Sequence, residues 1–387
     1  MLTETVKGFS DYSGEEAEKR EKIREILARN FQLYGFEPAE TPIIEYEDFV
    51  KGENEYDEAV SSIFKLQDKG KRNLALRYEL TFQLKRLAKN KKLPYKRYQI
   101  GEVFRDEPTS ANRFRQFTQC DIDIIGSNAK DEAEVMALVS RVFKELGIDI
   151  VINVNSRKLM NEILEEQGIT EKDRNNVIKE VDKADKLSEA EVKDNLKKYK
   201  AEGILAVFKK PAPYFKKYVA YSEILELERY CKMYDISVNF QPSLARGLSY
   251  YNGSVFEVKT AGMKETIAGG GSYIINGIQS TGISLGIERL SQLAKIKLEN
   301  ERILIISIKQ DKKAIQLAEK LRKLEKSVVI MDKISKALEY ANSRGIPYAV
   351  FVGEEEVKKK KFKLRDMKTG KEKMLSEKGI IEELKTA

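Results

Sequence analysis

The sequence contains no histidine among its 387 residues. This absence excludes every mechanism that uses an imidazole side chain: a Ser-His-Asp or Cys-His nucleophile, an HExxH zinc site and a histidine general base. Any catalysis by this chain must therefore use arginine, carboxylate, amide and phenol side chains, or metal ions.

Cysteine and long apolar segments are also scarce. Cys120 and Cys231 are the only two cysteines, too few and too far apart for a disulfide framework or a zinc site, so we expect no metal held by the protein. The sequence has no apolar run of about 18 residues and no hydrophobic region typical of a signal peptide. These features predict a cytoplasmic protein that is not embedded in a membrane.

Length and charge suggest several domains, one of them basic. At roughly 100 to 200 residues per domain, the length predicts two or three domains. Residues 1–300 contain 48 Lys and Arg against 48 Asp and Glu, whereas residues 301–387 contain 22 against 14. The whole positive excess of +8 therefore lies in the C-terminal part. It indicates either a polyanionic partner such as nucleic acid or a surface that is merely well solvated.

The N-terminal half has the pattern of a sheet with a covering helix. Apolar residues at helical spacing predict an amphipathic helix over 15–33. Four short alternating stretches follow, separated by turn residues, and they favour antiparallel strands joined by hairpins: 62–66, 74–77, 96–104 and 114–125. A helix over 131–146 and a strand over 149–155 complete this part.

In the rest of the chain, the composition and the predicted secondary structure change twice. Residues 157–222 are rich in helix formers and charge and poor in glycine, which predicts a helical insertion. Strands and glycines resume over 238–286. From residue 302, strands and helices alternate up to residue 352, a pattern typical of a separate small α/β domain. We therefore predict two domains, 1–300, which includes the insertion, and 301–387.

Three segments combine arginine with features of a binding site. Residues 104–126, FRDEPTSANRFRQFTQCDIDIIG, carry three arginines whose paired donors suit a polyphosphate, although a salt-bridged hairpin surface is the alternative. In LARGLSYYNGSVFEV, residues 244–258, Arg246 stands close to a tyrosine pair and two glycines; packing in the core is the alternative for the tyrosines. GISLGIERL, residues 282–290, leads from a glycine-flanked strand into a helix.

Together these segments resemble the histidyl-tRNA synthetases. Residues 104–126 resemble motif 2 of the class II synthetases, 244–258 the histidyl-specific signature, and 282–290 motif 3. The segment around Pro42 resembles motif 1, and LALRYELT, residues 74–81, the amino-acid-binding segment. The resemblance runs nearly end to end. It implies an α+β fold: an antiparallel sheet with flanking helices, a helical insertion and a C-terminal α/β anticodon-binding domain.

The resemblance also implies roles for individual residues. It assigns Arg105 and Arg246 to catalysis at the reacting phosphorus. It assigns binding of the amino acid histidine to Glu79, Thr81, Arg105, Gln119, Asp123, Arg246, Tyr250 and Tyr251. It assigns binding of ATP to Arg105, Glu107, Arg113, Arg115, Phe117 and Arg289.

The implied reaction is ligation of histidine to tRNA(His), with ATP as a substrate, Mg²⁺ as its ion and a homodimer formed through motif 1. Three positions depart from the family pattern: Ser249 replaces Asp, Asn252 replaces Thr, and Ser-Tyr-Ile at 272–274 replaces Arg-Tyr-Asp. Asp123 also stands where the family often has the longer Glu.

Two alternatives remain. One is a catalytically silent paralogue, such as the regulatory subunit of ATP phosphoribosyltransferase, which usually lacks the C-terminal domain and the catalytic arginines that this chain keeps. The other is a class II synthetase for another amino acid, against which residues 246–253 argue.

Overall fold

The computed structural model describes residues 3–52, 58–185, 187–246 and 250–385. The chain folds as two compact units, Met1–Ile296 and Lys297–Ala387. Each unit has hydrophobic core clusters of its own. Within the described ranges, no helix is long and apolar enough to cross a bilayer.

The first unit is built on a large sheet. Its strands are β1 (Glu37–Pro38), β2 (Ile44–Tyr46), β3 (Lys65–Gln67), β4 (Asn73–Leu76), β5 (Tyr95–Phe104), β6 (Gln116–Ile125), β7 (Val151–Ser156), β8 (Asn239–Phe240), β9 (Tyr251–Thr260), β10 (Met263–Ile275) and β11 (Ile278–Gly286). Eight of them form one sheet in the order β1-β5-β6-β11-β10-β9-β7-β8, and β2, β4 and β3 form a small antiparallel sheet.

The large sheet is antiparallel except at its two edges. The central pairings are antiparallel, as the resemblance implies, and the pairing of β5 with β6 is the one that the hairpin pattern predicts. The outer strands β1 and β8 instead run parallel to β5 and β7. Each of these pairs is joined by a long connection rather than a hairpin, which is what parallel strands require. The prediction of an antiparallel sheet is thus confirmed for the central strands, and the sheet as a whole is mixed.

Helices flank this sheet. They are α1 (Gly14–Leu33), α2 (Glu47–Lys51), α3 (Glu58–Ser61), α4 (Leu84–Leu87), α5 (Ala129–Glu145), α6 (Arg157–Glu166), α7 (Glu171–Asp182), α8 (Glu189–Lys197), α9 (Ile204–Phe208), α10 (Tyr221–Met233) and α11 (Ile287–Leu293). Helix α5 begins with a capping box, in which Asn128 and Asp131 accept hydrogen bonds from each other's backbone N–H. Helices α6 to α9 occupy the segment in which the sequence predicts a helical insertion.

Strand β6 separates the apolar core from the polar side of the sheet. Because successive side chains of a strand point to opposite faces, every second residue lies on the same side. The apolar row joins the core cluster that includes residues of α1 and α5: Cys120, Ile122 and Ile124. The opposite row is polar and equally buried: Gln119, Asp121 and Asp123. We call these three residues the polar row.

The second unit has its own five-stranded sheet. It consists of β12 (Ile303–Ser307), β13 (Val328–Met331), β14 (Tyr348–Val352), β15 (Lys361–Asp366) and β16 (Glu372–Ser376), in the order β13-β12-β14-β15-β16. Its helices are α12 (Asp311–Arg322), α13 (Ile334–Arg344), α14 (Glu354–Lys359) and α15 (Glu377–Lys385). All five residues of β12 are buried, as in a central parallel strand with both faces covered. The elements after residue 352 have no counterpart in the sequence-based assignment.

A buried carboxylate connects α5 to the sheet. Glu132 lies in the first turn of α5 and accepts hydrogen bonds from the hydroxyl groups of Ser254, at 2.5 Å, and Ser272. Burial raises the pKa of Glu132, and the two serine hydroxyls oppose that rise only in part. Ser272, one of the departures from the family pattern, thus has a structural partner here.

We expect the stability cost of ionising Glu132 to be visible in thermal melts. Because its pKa is higher in the folded chain than in the unfolded chain, Glu132 contributes stability at low pH that is lost as pH rises through the folded pKa. The Tm of Glu132→Gln, relative to that of the wild type, should therefore increase as the pH rises above the ordinary range of a glutamate carboxyl group. The exposed Glu226, changed to Gln, controls for the loss of one charge. A Tm difference that is independent of pH would contradict this account.

Candidate active site

Neighbouring strands of the large sheet bring the arginine-bearing segments together. The loop 105–115 joins β5 to β6, and β6 pairs with β11, so that Gly282 lies opposite Asp123. This glycine leaves room for the carboxylate, because a Cβ atom there would collide with Oδ1 of Asp123. Helix α11, which carries Arg289, follows β11 directly. A cavity of about 500 Å³ opens where these segments meet.

Four arginines line this cavity: Arg105, Arg113, Arg246 and Arg289. Their charges are close enough to act on one another. Burial lowers the pKa of Arg289, and the positive charges of the other three lower it further, against the opposing charge of Glu265. A cavity that concentrates several guanidinium groups attracts a polyanion. We call these residues the arginine cluster.

Contacts to the hairpin and to the segment after β4 hold two members of the cluster. The Nε of Arg105 donates to the backbone carbonyl of Tyr78 at 3.1 Å, and its guanidinium lies over the ring of Phe117, 5.1 Å from the centroid. The Nε of Arg113 donates to the carboxylate of Glu107 at 2.6 Å. Glu107 and Phe117 also line the cavity. An aromatic face and a carboxylate therefore lie beside the positive charges.

The guanidinium of Arg246 lies against the backbone of a glycine, Gly269. Its Nη1 pairs with the carboxylate of Glu257 at 3.1 Å. A Cβ atom on Gly269 would lie 2.5 Å from the same nitrogen, so only glycine leaves this space to the guanidinium. Tyr251 shares a side-chain hydrogen bond with Arg246, which links the arginine cluster to the tyrosine pair. Residues 247–249, which include the departure Ser249, lie outside the described residues.

A cluster of tyrosines and carboxylates adjoins Arg246. The rings of Tyr250 and Tyr251 have centroids 4.7 Å apart, and those of Tyr250 and Tyr273 are 5.7 Å apart. Burial raises the pKa of Tyr250, and the negative charge of Glu79 raises it further. Thr81, two residues after Glu79, is buried as well. Residues from β9 and β10 and from the segment after β4 thus meet in one place.

Asp123, which the resemblance assigns to the imidazole of the substrate, has two partners within the protein. Its carboxylate pairs with Arg97 at 2.8 Å and accepts a hydrogen bond from the hydroxyl of Tyr273. Arg97 is completely buried and also donates to the carbonyl of Leu80 at 2.6 Å. Burial raises the pKa of Asp123, while Arg97 and Tyr273 oppose this rise.

The sequence-based set of site residues does not include Arg97 or Tyr273. A signal for Arg97 exists in the hairpin, since strand register places it directly opposite Asp123. Counting outward from the loop would therefore have paired the two charges. Tyr273 has no such local signal, because its hydroxyl reaches Asp123 from a strand 150 residues away.

The structure places Arg115 apart from the arginine cluster. Its guanidinium pairs with Asp106 at 3.1 Å and donates to the carbonyl of Glu107, also at 3.1 Å. It is not among the described residues that line the cavity. Asn252, another departure from the family pattern, donates a hydrogen bond to the side chain of Gln279 at 3.0 Å.

Family models match nearly the whole chain. A model described as Histidyl-tRNA synthetase matches residues 8–290, and one described as Anticodon binding domain matches residues 302–387. The chain is 34% identical to Histidine–tRNA ligase 1 of Bacillus cereus, over 96% of this chain and 95% of that protein. It is also 34% identical to Histidine–tRNA ligase 2 of Shouchella clausii, over 95% of this chain and 97% of that protein.

Solved structures share the fold. The crystal structure of histidyl-tRNA synthetase from Nostoc sp. PCC 7120 superposes with a TM-score of 0.85 at 23% identity, over 100% of this chain and 99% of that one. A Bacillus halodurans C structure titled ATP phosphoribosyltransferase regulatory subunit/histidyl-tRNA synthetase gives 0.76 at 21% identity, over 88% of this chain and 96% of that one. The sequence matches over both units show that the chain belongs to the histidyl-tRNA synthetase family.

Proposed function

We propose that the chain is a histidine–tRNA ligase, which activates histidine with ATP and transfers it to tRNA(His). The observation that carries this proposal is the junction of two different environments at Arg246. On one side lies the arginine cluster, suited to a triphosphate. On the other lies a cluster of tyrosines and carboxylates, whose phenol and carboxylate groups suit a small polar amino acid.

The first step needs no general base. The carboxylate of histidine is already ionised at neutral pH and attacks the α-phosphorus of ATP, so that a carboxyl–phosphate bond forms and pyrophosphate leaves. Catalysis then consists of positioning and of stabilising the negative charge that develops. We assign this stabilisation to Arg105 and Arg246. The absence of histidine from the chain is compatible with this mechanism, which gives no role to a protein imidazole.

The remaining cavity residues are assigned to the nucleotide. Arg113 and Arg289 bind the outer phosphates, and Glu107 and Phe117 bind the adenine. The resemblance gives Arg115 to the outer phosphates too, but its contacts to Asp106 and Glu107 hold it outside the described cavity lining. We therefore assign Arg115 to the outer phosphates only if the loop 105–115 changes conformation when ATP binds.

We place the amino acid at the cluster of tyrosines and carboxylates beyond Arg246. Glu79, Thr81 and Gln119 receive its ammonium group, and Tyr250 lines the space. Asp123 and Tyr251 bind the imidazole ring. Since Arg97 compensates the charge of Asp123, this carboxylate can remain ionised despite its burial and accept the ring N–H.

In this proposal Mg²⁺ binds together with ATP, as part of the substrate. The described residues contain no group of three carboxylate, cysteine or histidine side chains that could hold an ion by themselves. Glu265 lines the cavity beside the arginine cluster and offers one carboxylate. One or two carboxylates together with substrate phosphates are a common ligand set for Mg²⁺.

In the second step the terminal ribose hydroxyl of the tRNA attacks the carbonyl carbon of the adenylate, and AMP leaves. A non-bridging oxygen of the departing phosphate takes the hydroxyl proton. The match of residues 302–387 to an anticodon-binding domain and the positive excess after residue 300 support binding of the anticodon by the second unit. The helical insertion is assigned to the acceptor end. ATP and tRNA as substrates support a cytoplasmic location.

We also propose a homodimer, formed through the small sheet that the motif 1 segment enters. Four apolar side chains on or beside this sheet are between 39% and 58% exposed: Ile43, Ile44, Tyr46 and Leu66. Clusters of exposed apolar side chains often mark a protein interface. A second copy of this chain would cover them.

The function is tested by ATP–pyrophosphate exchange with a panel of all twenty amino acids. We expect exchange with histidine alone and, in a separate assay, charging of tRNA(His). Exchange with a different amino acid would show another class II synthetase. A folded chain with no exchange and no charging would indicate a silent paralogue.

Replacement of Arg246 tests the assignment of the reacting centre. We expect Arg246→Ala to fold and to lower histidine-dependent exchange by about 10²- to 10³-fold, the scale for losing one preorganised donor to a transition state. Arg229→Ala removes an exposed arginine of α10 and serves as the matched control. Exchange by Arg246→Ala within about threefold of the control would refute the assignment, since this is far below the effect of such a donor.

Removal of residues 297–387 tests the role of the second unit. The first unit has its own core, so we expect the shortened chain to keep histidine-dependent exchange. Its affinity for tRNA should fall, and the slope of log Kd against log salt should become shallower, because fewer phosphates are neutralised. An unchanged slope in binding titrations would show that this unit does not contact the tRNA backbone.

A further inference from the structure

Asp121, the middle residue of the polar row, has no role in the mechanism above. Its side chain is 1% exposed and accepts hydrogen bonds from two neighbours. The amide Nε2 of Gln119 lies 2.9 Å from each of its carboxylate oxygens. The hydroxyl of Ser284, on β11, donates to Oδ1 at 2.6 Å. Gln119 also donates to Ser284 at 3.0 Å, which closes a triangle of hydrogen bonds.

While Asp121 is ionised, the hydrogen bonds of this triangle can be donated in only one direction, towards the carboxylate. A carboxylate accepts hydrogen bonds and donates none. The amide of Gln119 must therefore turn its NH₂ group towards Asp121, and its carbonyl oxygen Oε1 must point the other way. Gln119 lines the large cavity. Within the described residues, none donates a hydrogen bond to this Oε1, so it is available to a ligand.

We propose that Asp121 is a positioning residue that fixes the amide of Gln119 so that its oxygen faces the α-ammonium group of the amino-acid substrate. An ammonium group carries three donors and no acceptor, so it binds the carbonyl oxygen of an amide and is repelled by the NH₂ group. Asp121 does not touch the substrate in this arrangement; it acts through Gln119. The inference rests on the proposed function, because it takes the amino acid as the ligand of Gln119.

The triangle depends on the charge of Asp121, and this charge is sensitive to mild acid. Burial raises the pKa of Asp121 to about 6, and the negative charge of Asp123 on the same strand contributes to the rise. Arg97 on β5 and the hydrogen bonds from Ser284 and Gln119 oppose it. Arg77, after β4, is a further cation that interacts with Asp121.

Protonation removes the constraint on Gln119. A protonated Asp121 carries an O–H donor, which can bond to the carbonyl oxygen of Gln119 and favour the reversed amide. The NH₂ group would then face the ammonium group. Binding of the amino acid should weaken below about pH 6, because the carboxyl group of Asp121 becomes protonated there. Binding of ATP should change little, because ATP does not contact Gln119 in the proposed site.

The first experiment is steady-state exchange with Asp121→Asn, a substitution of nearly equal shape that can also donate. We expect KM for histidine to rise about 10-fold or more, the scale of one hydrogen bond to a charged group, with KM for ATP changed less than about twofold. Glu132→Gln is the matched control, because it also neutralises a buried carboxylate that accepts from hydroxyl groups, but its partners are Ser254 and Ser272 rather than Gln119. Equal increases in both KM values, or a similar rise in the control, would overturn the proposal.

A double-mutant cycle separates positioning from a general structural effect. If Asp121 acts only through Gln119, then Asp121→Asn should have almost no further effect on KM for histidine in a Gln119→Ala background. Additive effects of the two substitutions would show that Asp121 acts independently of Gln119, and the proposal would fall.

The pH profile gives a test that does not need an Asp121 variant to fold. The imidazole of the substrate, with a pKa of about 6.5, contributes equally to every profile. The wild type should show an additional rise in KM for histidine below about pH 6, and Gln119→Ala should lack it. Identical profiles would refute the proposal. If the wild type shows no histidine-dependent exchange at all, the proposed function has failed instead, so the two failures are distinguishable.

Discussion

The polar row of β6 is the constraint on which the site depends. Gln119, Asp121 and Asp123 are buried on one side of a strand whose other side belongs to the apolar core. A buried carboxylate without partners is strongly unfavourable, so each of these groups must be compensated by neighbouring strands. Arg97 of β5, Ser284 of β11 and a tyrosine of β10 supply the partners. Two of these residues, Gln119 and Ser284, also line the cavity.

Glycine makes this arrangement sterically possible. Strand β11, beside the polar row, carries Gly282, where a side chain would collide with Asp123. The next strand, β10, carries Gly269, where a side chain would collide with Arg246. Removing side chains from the sheet surface at these points allows large charged groups to lie flat against the backbone. The glycine run 269–271 thus does not mark a loop. It lies within β10, where Gly269 leaves space for the guanidinium of Arg246 and Gly271 for the ring of Tyr251.

The lack of histidine constrains the chemistry without preventing it. A synthetase reaction of the proposed kind uses a nucleophile that is ionised before it binds, so the protein has to hold reactants and stabilise charge rather than move protons. Arginine suits this role because its guanidinium stays protonated and offers paired donors in a fixed geometry. The buried carboxylates act differently, since Asp121 accepts a hydrogen bond from the amide of Gln119 and Asp123 one from the phenol of Tyr273.

Local patterns in the sequence were enough to predict many of these features. Helix periodicity and strand–helix alternation predicted flanking helices and the α/β pattern of the second unit, and the resemblance to a known family implied the antiparallel sheet and the roles proposed for the arginines and tyrosines. Only the folded structure shows that Arg289 faces the cavity whereas Arg115 pairs with Asp106, and that Asp121 holds Gln119. The reason is physical: these outcomes depend on the direction of side chains and on the register between strands that lie far apart in sequence, such as β6 and β11, and no local pattern records either one.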